Sequence, residues 1–494
     1  MKKIALYLLL LCFLTVQSCR RKVTAQLIPQ DATFVATIQL RQLVQKAEVK
    51  HSSLLQTVRQ YASQLIAADD RDKLDAVLDD PTLLGFDFDE PGFVFQTPDH
   101  STGLCLTVKD EDRVDAFFDF LAKQQLCSKV TKKDGLKWTS LLGEIPLAYN
   151  GDVLLVSLPI TAFTGVENQK KWIQQIFDNQ QDKGFFESDD FDKSFSENPD
   201  FEVCALSSAL PLSTSRQLSE LLPKGLHVGD VKLQAALTFD KGVMRFQSQL
   251  TGRTKEAQQL LDKWDGNLRP ITDEFLQSPI AGCSVFAALN SKGDWLLDLL
   301  KKSADVKQGL FMLERGIDIE AMLCSVDGDM AMVLQHWPTS TDVVKDDFLF
   351  MAHVDNDQWL SEVDAWKQSA REFGINLTPA SEKNLYVLEA DGFDMVWGVN
   401  DHQLLLASRQ AYNQRAFNQP NAALQALENE ITSSKLFAYV DFQQLADQPE
   451  LDYFSSLVFR SDGFSKQILQ LRTRDEKSNL LSLLLQEMEH HLKN

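Results

Sequence analysis

The sequence predicts an α+β protein of two tandem homologous units, each a mainly antiparallel sheet with helices packed on one face. Short apolar runs with period-two alternation, such as residues 239–246, are typical of strands. Turn residues join several of these runs closely, and strands joined by short turns pair antiparallel. Between the runs, apolar residues spaced three and four positions apart, such as Leu54, Val58, Tyr61 and Leu65, indicate amphipathic helices.

The two units are inferred from four kinds of segment that occur twice in the same order. They are a strand leading into a helix, a glycine-aspartate step, a strand followed by an acidic turn, and a hairpin. The paired ranges are 34–40 with 285–289, 85–89 with 316–320, 104–112 with 350–357, and 150–156 with 400–406. Ordered repeats of this kind predict a duplicated architecture. The resulting expectations are repeat units at 28–265 and 266–494, a junction at 266–279, and a long loop at 179–200.

Residues 1–18 have the pattern of a secretory signal segment. Two lysines precede an apolar run at 4–14, and Ser18 stands directly before Cys19. The run is shorter than the about 20 residues that a membrane-spanning helix needs. The cysteine after a small residue resembles a lipobox, which implies cleavage before Cys19, a diacylglycerol on its sulfur and a further acyl chain such as palmitate. An ordinary secretory signal with a chance cysteine is the alternative.

The segment after the predicted cleavage point is short and basic. Residues 19–27 are expected to form a lipidated tether, and Arg20, Arg21 and Lys22 suit an anionic lipid surface. No later segment has the run of about 18 apolar residues that marks a candidate membrane span. We therefore expect an exported, lipid-anchored protein at the outer membrane, on the periplasmic face rather than at the cell surface.

Composition restricts the classes of partner and of cross-link. The chain has 494 residues and a formal net charge of −21, which argues against a nucleic-acid partner because phosphate binding needs a basic surface. The cysteines after Cys19 do not have CxxC spacing. We expect buried free thiols that behave as small hydrophobic groups, with a disulfide between Cys105 and Cys127 as the alternative. The residues concerned are Cys105, Cys127, Cys204, Cys283 and Cys324.

Acidic clusters are the first candidates for a functional site. Asp110, Glu111 and Asp112, and likewise residues 355–357, have the oxygen atoms that calcium prefers, but the glycine and closing glutamate of a calcium loop are missing. Each cluster precedes an amphipathic stretch, so helix capping is the expected role.

Other groups also have both a functional and a structural interpretation. Asp87, Asp89 and Glu90 would suit a carboxylate site, but their alternation with phenylalanine favours a strand with one solvated face. Residues 327–329 indicate a turn. The histidines and tryptophans are expected in structural roles, with a glycan or hydrophobic-ligand face as the alternative for the tryptophans. They are His353 within a strand, His490 and His491 at the end of a terminal helix, and Trp295, Trp359, Trp366 and Trp397 in the core.

Two segments resemble a known family. Ile28-Pro29-x-Asp31-Ala32-x-x-Val35 follows the lipobox, and Gly85-Phe86-Asp87 with Pro91 precedes an apolar strand. This pattern is similar to a family of Bacteroidetes lipoproteins of about this length, known only as a domain of unknown function. The resemblance covers most of the chain, although 316–318 lacks a following proline. It implies export and a lipid anchor, and it supplies no catalytic residues. Surface-exported lipoproteins of such bacteria often carry acidic residues after the cysteine, whereas this chain carries basic ones.

The sequence assigns no catalytic, cofactor-binding or metal-ligating residue, since the common zinc, hydrolase and nucleotide-binding motifs do not occur in it. The leading hypothesis is a non-catalytic binding or scaffold protein of the cell envelope. It would be attached to the membrane through Cys19 and would have an envelope protein or glycan as partner. The alternatives are an envelope hydrolase with a dispersed carboxylate pair and a carrier of lipid or lipoprotein, which needs a large apolar cavity.

Overall fold

A computed structural model describes residues 23–48, 55–56, 59–60, 63–64, 66–158, 165–180, 184–187, 191, 198–210, 212–276, 283–302, 318–335, 348–372, 374–390, 393–414, 421–444 and 451–493. The predicted signal segment and Cys19 lie outside them. The chain forms two compact units. Unit 1 contains the described residues up to Ser219 with His227–Lys241 and those from Lys477 onward, and unit 2 contains Glu220–Leu226 and Gly242–Glu476. Among the described residues, no helix is long and apolar enough to cross a membrane.

Unit 1 contains an open antiparallel sheet. Its strands, within the described residues, are β1 (Phe34–Ile38), β2 (Gly92–Gln96), β3 (Thr102–Thr107), β4 (Thr131–Lys133), β5 (Leu136–Leu141), β6 (Ile145–Tyr149), β7 (Val153–Leu158), β8 (Phe201–Leu206) and β9 (Val231–Asp240). Their spatial order is β9–β8–β1–β2–β3–β7–β6–β5–β4. The predicted hairpin at 150–152 is confirmed between β6 and β7, where Oδ1 of Asn150 accepts hydrogen bonds from the backbone N–H groups of Asp152 and Val153, both at 2.9 Å.

Unit 2 also contains an open antiparallel sheet. Its strands, within the described residues, are β10 (Val243–Gly252), β11 (Leu268–Arg269), β12 (Val285–Lys292), β13 (Val326–Leu334), β14 (Phe348–Val354), β15 (Asn376–Pro379), β16 (Leu385–Ala390), β17 (Phe393–Asn400), β18 (Gln403–Ser408), β19 (Leu436–Asp441), β20 (Phe454–Ser461) and β21 (Lys466–Thr473). Their order is β10–β21–β20–β19–β12–β13–β14–β18–β17–β16–β15, with β11 beside the end of β12. The predicted hairpin at 400–402 joins β17 to β18, and both Asp401 and His402 have the positive φ of a tight hairpin turn.

Helices alternate with these strands. In the described residues they are α1 (Leu40–Lys46), α2 (Arg71–Asp79), α3 (Glu111–Lys123), α4 (Val166–Asp178), α5 (Leu212–Leu221), α6 (Lys255–Asp265), α7 (Gly293–Leu300), α8 (Ile319–Cys324), α9 (Val363–Glu372), α10 (Arg409–Gln414), α11 (Ala422–Ala426), α12 (Glu428–Thr432) and α13 (Leu480–Lys493). Single-turn 3₁₀ helices include Pro81–Leu84, Phe185–Glu187 and Gln358–Glu362.

The prediction that helices pack on one face of each sheet is wrong, because both faces are covered. In unit 1, Leu155 of β7 packs in one hydrophobic cluster with Trp172 of α4, whereas Leu154 packs in a second cluster with Phe118 of α3. Neighbouring residues of a strand point to opposite faces of the sheet. Each face of this sheet therefore buries its apolar side chains under a different helix.

Unit 2 repeats this layering. Met351 of β14 lies in a cluster with Tyr412 of α10, and Ala352 lies in a separate cluster with Trp366 of α9. Both units are therefore α+β with a central antiparallel sheet between helical layers, in place of the predicted two-layer arrangement.

The strand order is the same in the two sheets. The nine strands from β9 to β4 in unit 1 and the nine from β20 to β15 in unit 2 can be matched by their position along the chain. Strands at the same position in the two sequences of strands occupy the same place in their sheets. The compact units do not coincide with the predicted repeat ranges, 28–265 and 266–494. Residues 242–265, with β10 and α6, belong to unit 2, and residues 477–494 belong to unit 1. The predicted junction at 266–279, as far as it is described, lies within unit 2.

Two shorter segments also differ from expectation. The predicted tether, 19–27, is not free along its whole length, because Thr24 and Leu27 are buried in unit 1. The described part of the predicted loop at 179–200 contains the buried Phe185 and Asp200. Its phenylalanines pack against the hydrophobic core of unit 1, which is why this acidic segment is not simply solvated.

Candidate functional site

Unit 1 contains a cavity of about 390 Å³ between α2, the turn Pro81–Leu84 and α3. Its size falls within the range of about 300–1,000 Å³ that is usual for small-molecule sites. The described lining residues are apolar apart from a lysine and an arginine: Ile66, Lys73, Leu74, Val77, Leu83, Arg113, Ala116, Phe117, Phe120, Leu121 and Leu126. Leu83 remains 39% exposed. The cavity wall is thus apolar surface that the protein itself leaves partly uncovered.

The cavity exists because α3 is apolar over more of its circumference than its contact with the sheet requires. Val114 and Phe118 are buried against the sheet. Phe117, Phe120 and Leu121 line the cavity. A helix that only covers a sheet needs one apolar stripe. Phe117 and Leu121 also pack at the edge of the core, so the second stripe of α3 extends from the core to the wall of the cavity.

The start of α3 is fixed against the turn that closes the cavity. Asp110 caps α3, because its Oδ1 accepts a hydrogen bond of 3.1 Å from the backbone N–H of Arg113. The carbonyl oxygen of Gly85 accepts hydrogen bonds from the N–H groups of Lys109 and Asp110. Gly85 has a φ of +84°, and a Cβ there would lie 2.5 Å from the carbonyl oxygen of Asp110. Glycine is thus required where the turn approaches the helix.

The charged groups of the cavity are both cationic. The ammonium of Lys73 lies 3.3 Å from the carboxylate of Asp70. This carboxylate also accepts hydrogen bonds from Lys123 at 2.8 Å and from Gln124 at 2.7 Å. The hydrogen bond from Lys123 is the main reason that the pKa of Asp70 is lowered. Arg113 pairs through Nε with Asp110 at 3.1 Å. Neither carboxylate lines the cavity, so its described charges are positive.

This arrangement suits binding by burial of apolar surface. Apart from the ammonium of Lys73, the described lining residues include none of the groups that usually act as nucleophiles or proton-transfer groups, such as a carboxylate, imidazole, hydroxyl or thiol. The favourable free energy available here is that of removing apolar surface from water, about 25 cal/mol for each Å².

A family model described as "Domain of unknown function (DUF4836)" matches residues 25–453. The chain belongs to this family. No match is found among curated proteins. Among solved structures, the chain is similar to crystal form I of TP0453, with 10% identity over 45% of this chain and 99% of the other and a TM-score of 0.21. It also matches the β subunit of DNA polymerase III from Pseudomonas aeruginosa, with 9% identity over 78% and 90% of the chains and a TM-score of 0.10.

A second cavity, of about 550 Å³, lies at the start of the DUF4836 region in unit 1 and has a mixed polar and apolar lining that includes Asp99 and Trp172. Burial alone would raise the pKa of Asp99, but hydrogen bonds from Thr97 and Ser101 outweigh this effect and lower it. Thr97 in turn accepts a hydrogen bond of 3.2 Å from Nε1 of Trp172. These groups satisfy one another and stabilise the β2–β3 hairpin.

The acidic clusters of the DUF4836 region behave mainly as predicted. Asp110 caps α3, as described above, and Glu111 pairs with Lys137 at 2.8 Å. In the second cluster Asn356, rather than Asp357, accepts a hydrogen bond from the N–H of Gln358, at 3.4 Å. Within the described residues, His, Cys, Asp and Glu side chains do not gather in groups able to hold a metal ion.

Two carboxylate predictions in the DUF4836 region are wrong. Asp87 and Asp89 lie in a turn rather than a strand, because Oδ1 of Asp87 accepts a hydrogen bond from the N–H of Asp89. Residues 327–329 lie in β13 rather than a turn, since they pair with β12. Their pairing with β14 is irregular. The Asp-Gly-Asp composition, which is typical of a turn, therefore gave the wrong secondary structure for this strand.

A polar cluster in unit 2 was not anticipated from the sequence. Asp329, 3% exposed, accepts hydrogen bonds from the N–H and hydroxyl of Thr272 at 2.8 and 2.6 Å. Burial, together with the nearby Glu274, raises the pKa of Asp329. Glu274 contacts Nδ1 of His353 at 3.2 Å and accepts a hydrogen bond from Gln403 at 3.3 Å. The cluster holds segment 270–276 across three strands.

Three of the four tryptophans expected in the core of the second half are core residues, as predicted. Trp359, Trp366 and Trp397 are buried and pack with ring centroids 5.7–5.9 Å apart. Trp295 is half-buried against Phe464. The side chains of His490 and His491 lie outside the described residues.

The five cysteines among the described residues carry free thiols. Those of Cys105, Cys127, Cys204 and Cys283 are buried, whereas Cys324 is exposed. The expectation of buried free thiols is thus confirmed for the first four, and Cys105 and Cys127 do not form a disulfide. Burial raises the pKa of the Cys283 thiol to about 11, which leaves it unreactive near neutral pH.

Proposed function

We propose that this DUF4836 protein is an exported, lipid-anchored envelope protein that binds an apolar ligand in the cavity of unit 1 without catalysing a reaction. The cavity carries the proposal, because its described lining is apolar apart from Lys73 and Arg113 and includes no carboxylate, imidazole, hydroxyl or thiol. Attachment through acylated Cys19 and a periplasmic position at the outer membrane are supported by the signal-like amino terminus and the basic segment after it. The resemblance to Bacteroidetes lipoproteins supports the same location. An envelope protein or glycan as a further partner remains part of the proposal.

We also propose that the protein arose by tandem duplication. The support is the identical strand order of the two sheets, together with the recurring segments in the sequence. Chance would not preserve so long an order with the same hairpins at corresponding places.

The test uses the Cys19→Ala form of the full chain, so that detergent is not needed. Binding is measured with phenylnaphthylamine, an uncharged dye that fluoresces in apolar surroundings. Ala116→Trp fills the cavity, since Ala116 lies in its wall. Ala76→Trp is the matched control, because Ala76 is an exposed alanine of α2 and does not line the cavity.

Dye binding that weakens about tenfold or more in Ala116→Trp and persists in Ala76→Trp would support the proposal. Binding that is equal in all three proteins, or absent from the starting protein, would overturn it. Circular dichroism of each variant confirms that the comparison is made between folded proteins.

A hydrolase with a dispersed carboxylate pair is the second candidate, and one observation favours it. Asp329 has a raised pKa and lies near Glu274, as expected for an acid beside a second carboxylate. Its hydrogen bonds to Thr272 also give it a structural role. Hydrolysis of cell-wall or glycan substrates that is lost in Asp329→Asn, with stability retained, would favour this candidate over the binding protein.

A further inference from the structure

The charged side chains of the cavity indicate which polar group its apolar ligand would carry. Its described lining contains Lys73 and Arg113 and no acidic residue, although the whole chain has a net charge of −21. Asp70 and Asp110 pair with these two cations but do not line the cavity. This local reversal of sign favours an anionic group on the occupant.

Lys73 and Arg113 retain donors for such an anion. Asp70 is shared between two lysines and an amide, and its contact with Lys73, at 3.3 Å, is longer than the one with Lys123. A guanidinium has five N–H donors, and Arg113 uses Nε on Asp110 and Nη1 on the carbonyl oxygen of Thr82, the latter at a long 3.4 Å. Both cations can therefore bind a further acceptor.

The cationic groups lie beside the apolar wall rather than apart from it. The ammonium of Lys73 is 6.0 Å from the ring centroid of Phe120, and both residues line the cavity. Arg113 is one helical turn from Ala116 and Phe117 in α3. A ligand with an apolar chain and an anionic end matches this juxtaposition. The volume of about 390 Å³ lies near the lower limit for small-molecule sites, which favours a single chain.

We propose that the cavity of unit 1 binds a fatty acid, with the acyl chain among Phe117, Phe120 and Leu121 and the carboxylate at Lys73 and Arg113. This inference rests on the proposed function and specifies its ligand. An arginine fork fits a planar carboxylate with two parallel hydrogen bonds. The apolar chain contributes most of the affinity, and the two cations contribute the preference for the charged end.

The experiment compares laurate with dodecanol, which has the same chain and an uncharged head, by displacement of phenylnaphthylamine from the full Cys19→Ala chain. The test variant is Lys73→Gln with Arg113→Gln. The matched control is Arg71→Gln with Lys132→Gln, which removes one arginine and one lysine from exposed positions that do not line the cavity.

We expect the starting protein and the control to prefer laurate about tenfold, as a charge-assisted hydrogen bond provides, and the test variant to lose the preference while still binding dodecanol. Equal affinity for laurate and dodecanol in the starting protein would overturn the fatty-acid inference and leave the proposed function intact. Tighter binding of dodecyl phosphate than of laurate would overturn the choice of a carboxylate. Failure of the dye itself to bind would instead contradict the proposed function.

Discussion

Cys19 is the residue on which the proposed membrane attachment depends. Acyl chains give a protein membrane affinity in proportion to their buried methylene groups, and several chains are needed for stable anchoring. We predict that Cys19→Ala moves the protein from the membrane fraction to the soluble fraction of the envelope. Cell fractionation checks the location, and mass spectrometry of the amino-terminal peptide checks the modification.

Cys12 provides the control for this experiment, because it lies in the predicted signal segment and ahead of the cleavage point. Cys12→Ala should leave the protein in the membrane fraction. A Cys19→Ala protein that stays there would remove the acyl anchor from the proposal, since the described residues contain no helix suited to spanning a membrane.

Asp329 and Asp327, two residues apart on β13, are predicted to affect stability with opposite pH dependence. Burial raises the pKa of Asp329, so the folded state holds its proton more tightly, and stability is lost as pH rises through that raised pKa. Replacement by Asn removes this loss. The difference in unfolding free energy, Asp329→Asn minus wild type, should therefore increase from pH ~4 to pH ~8.

Asp327 is the matched control. Burial would raise its pKa, but the hydrogen bond and charge of Arg269, with Lys292, outweigh burial and lower it. Its stabilising contribution is present above the unfolded pKa and is lost as pH falls through the lowered folded pKa, so the difference for Asp327→Asn should decrease mainly from pH ~2 to pH ~5. Urea unfolding at each pH measures both. Parallel pH profiles for the two variants would contradict the assigned causes.

At the scale of single elements, α3 depends on Asp110. This residue accepts the Arg113 N–H and thereby satisfies one of the free amides at the start of the helix. Asp110→Ala should lower the unfolding free energy by about 1 kcal/mol. Asp110→Asn, which keeps an oxygen acceptor, should restore most of it. Asp112, exposed in the first turn, should matter by only a few tenths of a kcal/mol. Equal losses for Asp110→Ala and Asp112→Ala would show that general helix electrostatics, not the cap, is responsible.

The elements that could be predicted from the sequence are those set by neighbouring residues. The hairpin at Asn150 and the cap at Asp110 follow from side chains that accept hydrogen bonds from backbone N–H groups within three positions. The hairpin after Asn400 follows from the left-handed φ of Asp401 and His402. The amphipathic stretch predicted after Asp110 is likewise helix α3, with Val114 and Phe118 buried. These features are local, so a single sequence contains the information for them.

The features that were missed depend on distant parts of the chain. The strand at 327–329 is set by pairing with residues 290–292 of β12, which overrides its turn-like composition. Helices on both faces were overlooked, although the apolar run at 153–156 was a usable signal, because a strand buried on both faces has no polar alternation. The cavity was not predictable, since segments 66–83 and 113–126 form it only after folding.

For the whole molecule, sequence repetition and compactness give different divisions of the chain. The repeated order of strands separates the halves near residue 265, whereas the compact units divide after Lys241 and again after Glu476. Strand order follows from each half's own succession of strands and turns. The placement of a terminal helix follows from whichever apolar surface it covers. The helix that ends the chain therefore belongs to unit 1, although it follows the last strand of unit 2.

This assignment predicts that a change in α13 weakens unit 1 selectively. Leu480 is 1% exposed, and the adjacent Asn479 donates a 3.1 Å hydrogen bond to the carbonyl oxygen of Phe239 in β9. Leu480→Ala should cost about 2–5 kcal/mol through the space it leaves, and hydrogen exchange should accelerate in β8 and β9 but not in β16 and β17. Leu484→Ala, in the same helix but 40% exposed, should leave both regions unchanged. Equal acceleration of exchange in both sheets after Leu480→Ala would contradict this prediction. It would mean that the two units unfold together, so that the loss of a contact in unit 1 lowers the stability of both.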